Sequence, residues 1–245
     1  MERESLVIVP VYNEEKTLVQ FYENLRTYYW EDVLFVNDGS TDKSGVILSK
    51  FKNLNTYVLT QEKRRGYGEA LLLGFDFALK NNYRKILTLD ADLQHNPRWI
   101  SRFLEALEEY QLVLGSRYIR INNYLSIPRE RLLINRYISF LLKELFNVRF
   151  TDPFCGFRAY GEKFLRRTSL EEKSYGLALE IPLEAVRLGI SFKELPIEAL
   201  YFKPAKEFLD GLDNPQNRFL YYLNIISKFR RKLYEKEVPF WKPLS

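Results

Sequence analysis

The stretch Ile86-Leu87-Thr88-Leu89-Asp90-Ala91-Asp92-Leu93-Gln94-His95 decides how the chain reads, because an apolar run of strand length breaks directly into two carboxylates two residues apart. A run of this kind belongs in a parallel sheet, and the residues leaving its carboxyl end lie where open α/β sheets hold their ligands. Carboxylates at i and i+2, just off a strand, can both turn toward one divalent cation. Hard oxygen donors suit Mg²⁺ or Mn²⁺ bridging nucleotide phosphates. The alternative at this point is an Asx-rich turn capping the helix that begins near Pro97.

Outward from this stretch, strand-length runs alternate with helix-period segments. Leu6 to Val11, Val33 to Val36, Tyr57 to Leu59 and Leu112 to Leu114 join Ile86 to Leu89 as buried strands, with helices predicted from Glu14 to about Tyr29, Gly68 to Leu79 and Pro97 to Glu109. The alternation predicts an α/β fold, a mostly parallel sheet flanked by helices. The strand ends are polar. Strand one runs into Pro10-Val11-Tyr12-Asn13-Glu14, strand two into Asn37-Asp38-Gly39-Ser40, and strand five into Gly115-Ser116-Arg117, so four strand ends are expected to converge on one edge. Asp38 suits a base or ribose donor and Gly39 a tight turn, although Asn-Asp-Gly-Ser is also ordinary turn chemistry. Arg64-Arg65-Gly66-Tyr67-Gly68 precedes a helix and reads as an anion-facing N-terminus or as a plain loop with solvated arginines. No GxxxxGK loop is present and no dinucleotide fingerprint follows strand one, which argues against an NTPase and an NAD enzyme.

The single histidine, His95, excludes a multi-histidine metal site and reads as a polar loop residue beside Asp92. Cys155, the single cysteine, reads as a small packing residue and cannot close an intramolecular disulfide; with no leader-like N-terminus, a reducing cytoplasmic setting is expected. Apolar residues at 46% and charged residues at 28% exclude a disordered chain and a coiled-coil rod. No charge-free apolar run approaches the roughly 18 to 20 residues that span a bilayer. Between Arg117 and Arg136 five arginines accompany one glutamate, and residues 131–146 are helical in period but apolar beyond one stripe; residues 214–234 repeat the mixture. Basic amphipathic helices are therefore expected toward the C-terminal half. The net charge of +5 favours anionic partners, and no nucleic-acid reading motif is present.

Taken in order, VPVYNEE (9–15), NDGSTDKS (37–44), RRGYGEA (64–70), DADLQHNP (90–97), GSRY (115–118), DPFCGFRAY (152–160) and ELPI (194–197) resemble the family 2 glycosyltransferases of GT-A fold, in particular the polyprenyl-phosphate sugar synthases similar to dolichol-phosphate mannose synthase. The resemblance implies a GT-A domain over 1–202, including an acceptor loop and interface helices at 118–146, and a basic amphipathic extension over 203–245. It implies nucleotide binding by Pro10, Tyr12, Glu14, Asp38 and Gly68, metal binding by Asp90, Asp92 and Gln94, and phosphate contacts by Arg117 and Arg131. Where relatives carry an arginine followed by Gly-x-Ser-Lys, this chain has Tyr201-Phe202-Lys203-Pro204-Ala205-Lys206, so Lys203 or Lys206 is expected to stand in as a point charge.

The implied reaction is inverting transfer of a hexose, mannose or glucose, from a GDP- or UDP-linked donor to dolichyl or undecaprenyl phosphate, by an enzyme lying peripherally on the inner face of the membrane. A hydroxyl acceptor generally needs a base, and the Gln-x-x-Arg-Trp motif of other family 2 enzymes is absent; a phosphate acceptor is already largely dianionic. The rivals are a family 2 transferase acting on a sugar hydroxyl, a nucleotidyltransferase and a non-catalytic membrane-surface module.

Overall fold

The computed structural model describes residues 3–119, 127–198, 208 and 211–234. Strand β1 (Arg3–Val11) is buried without a break from Ser5 to Val9, the mark of a strand inside the sheet. Leu6 and Ile8 enter one apolar cluster and Val7, Val9 and Val11 the other, all almost fully buried, so both faces of the strand are covered. Helix α1 (Leu18–Tyr28) leads to β2 (Asp32–Asn37), then α2 (Ser44–Phe51), β3 (Thr56–Thr60), α3 (Tyr67–Lys80) and β4 (Tyr83–Thr88). A 3-10 turn at Pro97–Trp99 and α4 (Ile100–Ala106) precede β5 (Leu112–Ser116), followed by α5 (Arg129–Phe146), β6 (Arg158–Gly161), α6 (Glu162–Arg167), α7 (Leu177–Arg187), β7 (Phe192–Pro196) and α8 (Pro215–Tyr234).

The described strands form one sheet in the order β3-β2-β1-β4-β6-β5-β7. All neighbours run parallel except β6, which pairs antiparallel with both β4 and β5. The chain winds outward from β1 through β2 to β3, then crosses to β4 on the other side of β1. That reversal opens a crevice beyond the carboxyl ends of β1 and β4. Helix α8 packs on α7 and α5, next to the same crevice. No helix among the described residues is long and apolar enough to cross a membrane.

Helices α2, α6 and α7 were not predicted, and three further elements differ from the sequence expectation. Helix α1 begins at Leu18 rather than Glu14, because the preceding amides are bound elsewhere: Asn13 takes a left-handed φ of 54°, Glu14 N donates to Ser44 Oγ at 2.8 Å and Glu15 N to Asp42 Oδ2 at 3.0 Å. The helix after Pro97 ends at Ala106, short of the expected Glu109. Strand β6 was not expected; its four residues include Arg158 and lack the length and pattern of an apolar strand.

Candidate active site

A cavity of about 460 Å³ occupies the crevice. Pro10, Tyr12 and Glu14 reach it from the end of β1, Asp38 from β2, Asp90, Asp92 and Gln94 from β4, Arg117 from β5 and Arg131 from α5. Gly68 does not line it. It is buried in the first turn of α3, where a Cβ would stand 2.5 Å from Glu172 O and 2.7 Å from Lys173 C, so its small size serves helix-to-loop packing. Lys203 and Lys206 fall outside the described residues.

The ends of β1 and β2 are laced together. Asn13 Oδ1 accepts the amide of Thr41 at 2.8 Å, and Asn13 N donates to Ser40 Oγ at 3.1 Å. Glu14, 8% exposed, accepts the Thr17 hydroxyl at 3.0 Å. Asp38, 3% exposed, accepts Arg65 N at 2.7 Å through Oδ1 and Gly66 N at 2.9 Å through Oδ2. Its carboxylate thus holds the 64–66 loop against β2 as well as facing the cavity. Gly39 is indispensable to this approach: its φ is 63° and a Cβ would lie 2.4 Å from Arg64 N. The same loop brings the Arg64 guanidinium 5.2 Å from the Tyr12 ring centre, a flat cationic wall.

At the end of β4 the chain turns through Leu93 in a left-handed φ of 62°, a conformation unfavourable for a leucine and characteristic of sites where backbone geometry is over-determined. Gln94 N donates to Asp92 Oδ1 at 3.1 Å in an Asx turn, yet the turn at Pro97 is capped by Asn96, which accepts Arg98 N at 3.0 Å, and Asp92 lines the cavity. The Tyr67 hydroxyl donates to Asp90, and burial followed by the Asp90 charge raises this phenol well above its ordinary pKa. Gly156 lies against the same carboxylate; a Cβ there would stand 2.6 Å from Asp90 Oδ2. The all-oxygen set of Asp90, Asp92 and Gln94 fits a Mg²⁺-type ion, which takes one or two carboxylates and fills its remaining positions with phosphate and water. Among the described residues there is no cluster of three or more His, Cys, Asp or Glu that could hold a metal ion.

The cationic side is built from longer-range contacts. Arg117 Nε and Nη2 donate to Asp152 Oδ2 and Oδ1 at 2.6 and 2.8 Å. Glu194 on β7 in turn accepts Thr151 N at 2.9 Å and Asp152 N at 3.1 Å. The Arg131 guanidinium lies 4.7 Å from the ring centre of Phe208, which also lines the cavity. Arg218 and Tyr222 of α8 complete this wall.

Sequence reasoning did not single out Tyr67, Phe208, Arg218 or Tyr222 as site residues. For Arg218 a signal existed: positions 218, 222, 225, 226 and 229 form the buried stripe of α8, and an arginine on an apolar stripe is out of place.

His95 is in a loop but buried, with Nε2 3.8 Å from Cys155 Sγ, and burial lowers its imidazole to about 4. Cys155 is fully buried, and burial, then Asp152, pushes its thiol up to about 12. It packs, as its sequence setting indicated. Glu180 caps the 171–172 segment through the amides of Glu171 and Glu172, outside the cavity wall.

The sequence model described as Glycosyl transferase family 2 matches residues 6–172. The chain is 32% identical to the undecaprenyl-phosphate mannosyltransferase of Micrococcus luteus over 198 residues, 78% of this chain and 82% of that protein. It is 29% identical to the polyprenol monophosphomannose synthase of Mycolicibacterium smegmatis over 201 residues, 79% of this chain and 76% of the relative. Among solved structures, glucosyl-3-phosphoglycerate synthase from Mycobacterium tuberculosis, in complex with Mn²⁺, UDP-glucose and phosphoglyceric acid, superposes with a TM-score of 0.70 at 19% identity, covering 93% of this chain and 80% of that one. That likeness places the fold among the GT-A glycosyltransferases.

Proposed function

Because the chain belongs to glycosyl transferase family 2, we propose that this glycosyltransferase moves a hexose, with inversion, from a GDP- or UDP-linked donor to dolichyl or undecaprenyl phosphate. Mannose is the first sugar to test, since both bacterial relatives above are named for mannose transfer. The observation that carries the reading is one cavity bounded by a carboxylate pair on one strand end and by arginines of β5 and α5.

In this reading the nucleoside lies along Tyr12, Arg64 and Asp38, and the diphosphate approaches Asp90 and Asp92. A Mg²⁺ or Mn²⁺ ion held there, with Gln94, would neutralise the charge that develops on the leaving diphosphate. Tyr67 and Gly156 keep the Asp90 carboxylate in place. Arg117, fastened by Asp152, and Arg131 orient phosphate oxygens. A phosphate oxygen of the acceptor bonds to the anomeric carbon as the bond from that carbon to the donor diphosphate breaks, its electron pair leaving on the nucleoside diphosphate.

What supports a phosphate as the acceptor is that carboxylates of the site are engaged elsewhere. Asp152 is engaged by Arg117, Glu14 by Thr17 and Asp38 by two amides. A phosphate acceptor needs no base, being largely ionised near neutral pH. The lipid chain has a matching surface on α5, where Leu133, Tyr137 and Phe140 are 65%, 50% and 55% exposed at spacings of four and three, one face of the helix. Peripheral seating on a membrane fits that exposed face.

The test is a radiolabel transfer assay offering GDP-mannose and UDP-glucose to undecaprenyl and dolichyl phosphate with Mg²⁺ or Mn²⁺, comparing wild type with Asp92→Ala. Label should enter the organic phase, depend on metal and vanish in the mutant. Donor hydrolysis alone, or label in a water-soluble glycan, would move the assignment to a hydroxyl-acceptor transferase.

A further inference from the structure

Arg218 stands in the first turn of α8, only 3% exposed, and lines the cavity. Its Nη1 donates to Leu212 O at 2.9 Å, while Nη2, also buried, has no hydrogen-bond partner among the described residues. The guanidinium lies 4.3 Å from the ring centre of Phe208, and Arg131 lies 4.7 Å from the same centre, so two positive groups share one aromatic ring. Burial lowers the Arg218 pKa and Arg131 presses the same way, against Tyr222 and, more weakly, Glu130 and Asp213. None of these three is hydrogen-bonded to Arg218 among the described contacts. A buried guanidinium beside another cation, with an unused donor, is costly unless a counter-charge arrives from outside the chain. Phosphate oxygens supply that charge and match the planar donor.

We propose that Arg218, beside Arg131, binds a phosphate group in the cavity, donating to it through Nη2. The transferase reading supplies two sources for that phosphate, the donor diphosphate and the acceptor monoester, and the assignment between them rests on that reading. Arg218 enters the site only because α8 folds back onto α5 and α7, which makes the C-terminal helix a part of substrate recognition rather than an appendage.

The experiment is calorimetric titration of wild type, Arg218→Gln and Arg218→Lys with inorganic pyrophosphate, GDP, UDP and farnesyl phosphate, after circular dichroism and thermal melts establish that each variant is folded. Arg218→Gln should weaken binding of one class of probe about 10- to 100-fold, the scale of a lost charge-assisted hydrogen bond, and Arg218→Lys should recover part of it. Weakened pyrophosphate and nucleotide with unchanged farnesyl phosphate assigns the donor; the reverse assigns the acceptor. Unchanged affinity for every probe in folded Arg218→Gln overturns the proposal. Should that variant fail to fold, Arg218→Lys decides, since it keeps the charge and loses the planar donor: unchanged affinities again overturn it. Weaker pyrophosphate binding in a protein that transfers no sugar to any polyprenyl phosphate would leave the anion site standing and remove the function proposed above.

Discussion

Arg117 and Asp152 meet as a two-pronged pair, Nε to Oδ2 at 2.6 Å and Nη2 to Oδ1 at 2.8 Å, with the Asp152 side chain fully buried and that of Arg117 12% exposed. The pair joins the end of β5 to the turn before β6 and holds a cavity-lining cation in one orientation. Breaking one partner of a buried pair leaves the other uncompensated, so Asp152→Asn should cost about 3 kcal/mol of stability. Transfer activity should fall as well. Urea denaturation together with steady-state assays checks this; a variant with wild-type midpoint and turnover would show that the fork is dispensable.

Asp38 accepts two successive backbone amides, from Arg65 and Gly66, which an asparagine cannot do with both side-chain atoms. Asp38→Asn should lose about 1 to 3 kcal/mol. The loosening should be local, with faster hydrogen exchange at the amides of Arg65 and Gly66 and weaker nucleotide binding. Exchange by mass spectrometry resolves it, and protection equal to wild type would contradict the bracing role.

Two glycines should respond differently to alanine. At Gly68 the added methyl meets the backbone of Glu172 and Lys173, so Gly68→Ala should lower the melting temperature by several degrees, a loss of about 1 to 3 kcal/mol. At Gly156 it meets the Asp90 carboxylate and the Tyr67 hydroxyl, so Gly156→Ala should depress turnover and the Mn²⁺ dependence of nucleotide binding more than it depresses stability. Equal patterns in the two variants would refute the distinction.

The Cys155 thiol, raised to about 12 by burial, stays protonated in the folded protein at pH 8 and should resist alkylation there, reacting only through unfolding. The unfolded thiol ionises near its ordinary 9.0, so the stability contributed by this group is fully present below about pH 9 and is lost as pH rises toward 12. Cys155→Ala should flatten that part of the alkaline stability profile. Rapid labelling of folded protein by iodoacetamide at pH 8 would argue against the buried setting.

Much of this was legible before folding. Apolar runs placed β1 to β5 within a few residues, and of the residues named through the motifs nine do share one cavity wall, eight at strand ends and Arg131 on α5. The departures have local causes. Residues 14–17 have helical composition, yet the amides of Glu14 and Glu15 serve the contact with the loop after β2. Gly68 sits in a glycine motif, yet faces the backbone of residues 172 and 173 and does not line the cavity. Leu133, Ile138 and Phe140 read alike in sequence, whereas Ile138 is buried in the core and the other two are exposed.

The class of fold, the carboxylate pair and the strand-end loops were readable from residue order, because strand period, helix period and i,i+2 spacing act over a handful of neighbours. The supports of the site were not. Glu194 steadies the Arg117 anchor across 43 residues of chain from Thr151, Gly156 abuts Asp90 only because β6 inserts antiparallel between β4 and β5, and Arg218 reaches the cavity only once α8 has packed on α5 and α7. Contacts so distant along the chain leave no periodic trace, since they come from how finished elements pack and not from the preferences of any one of them.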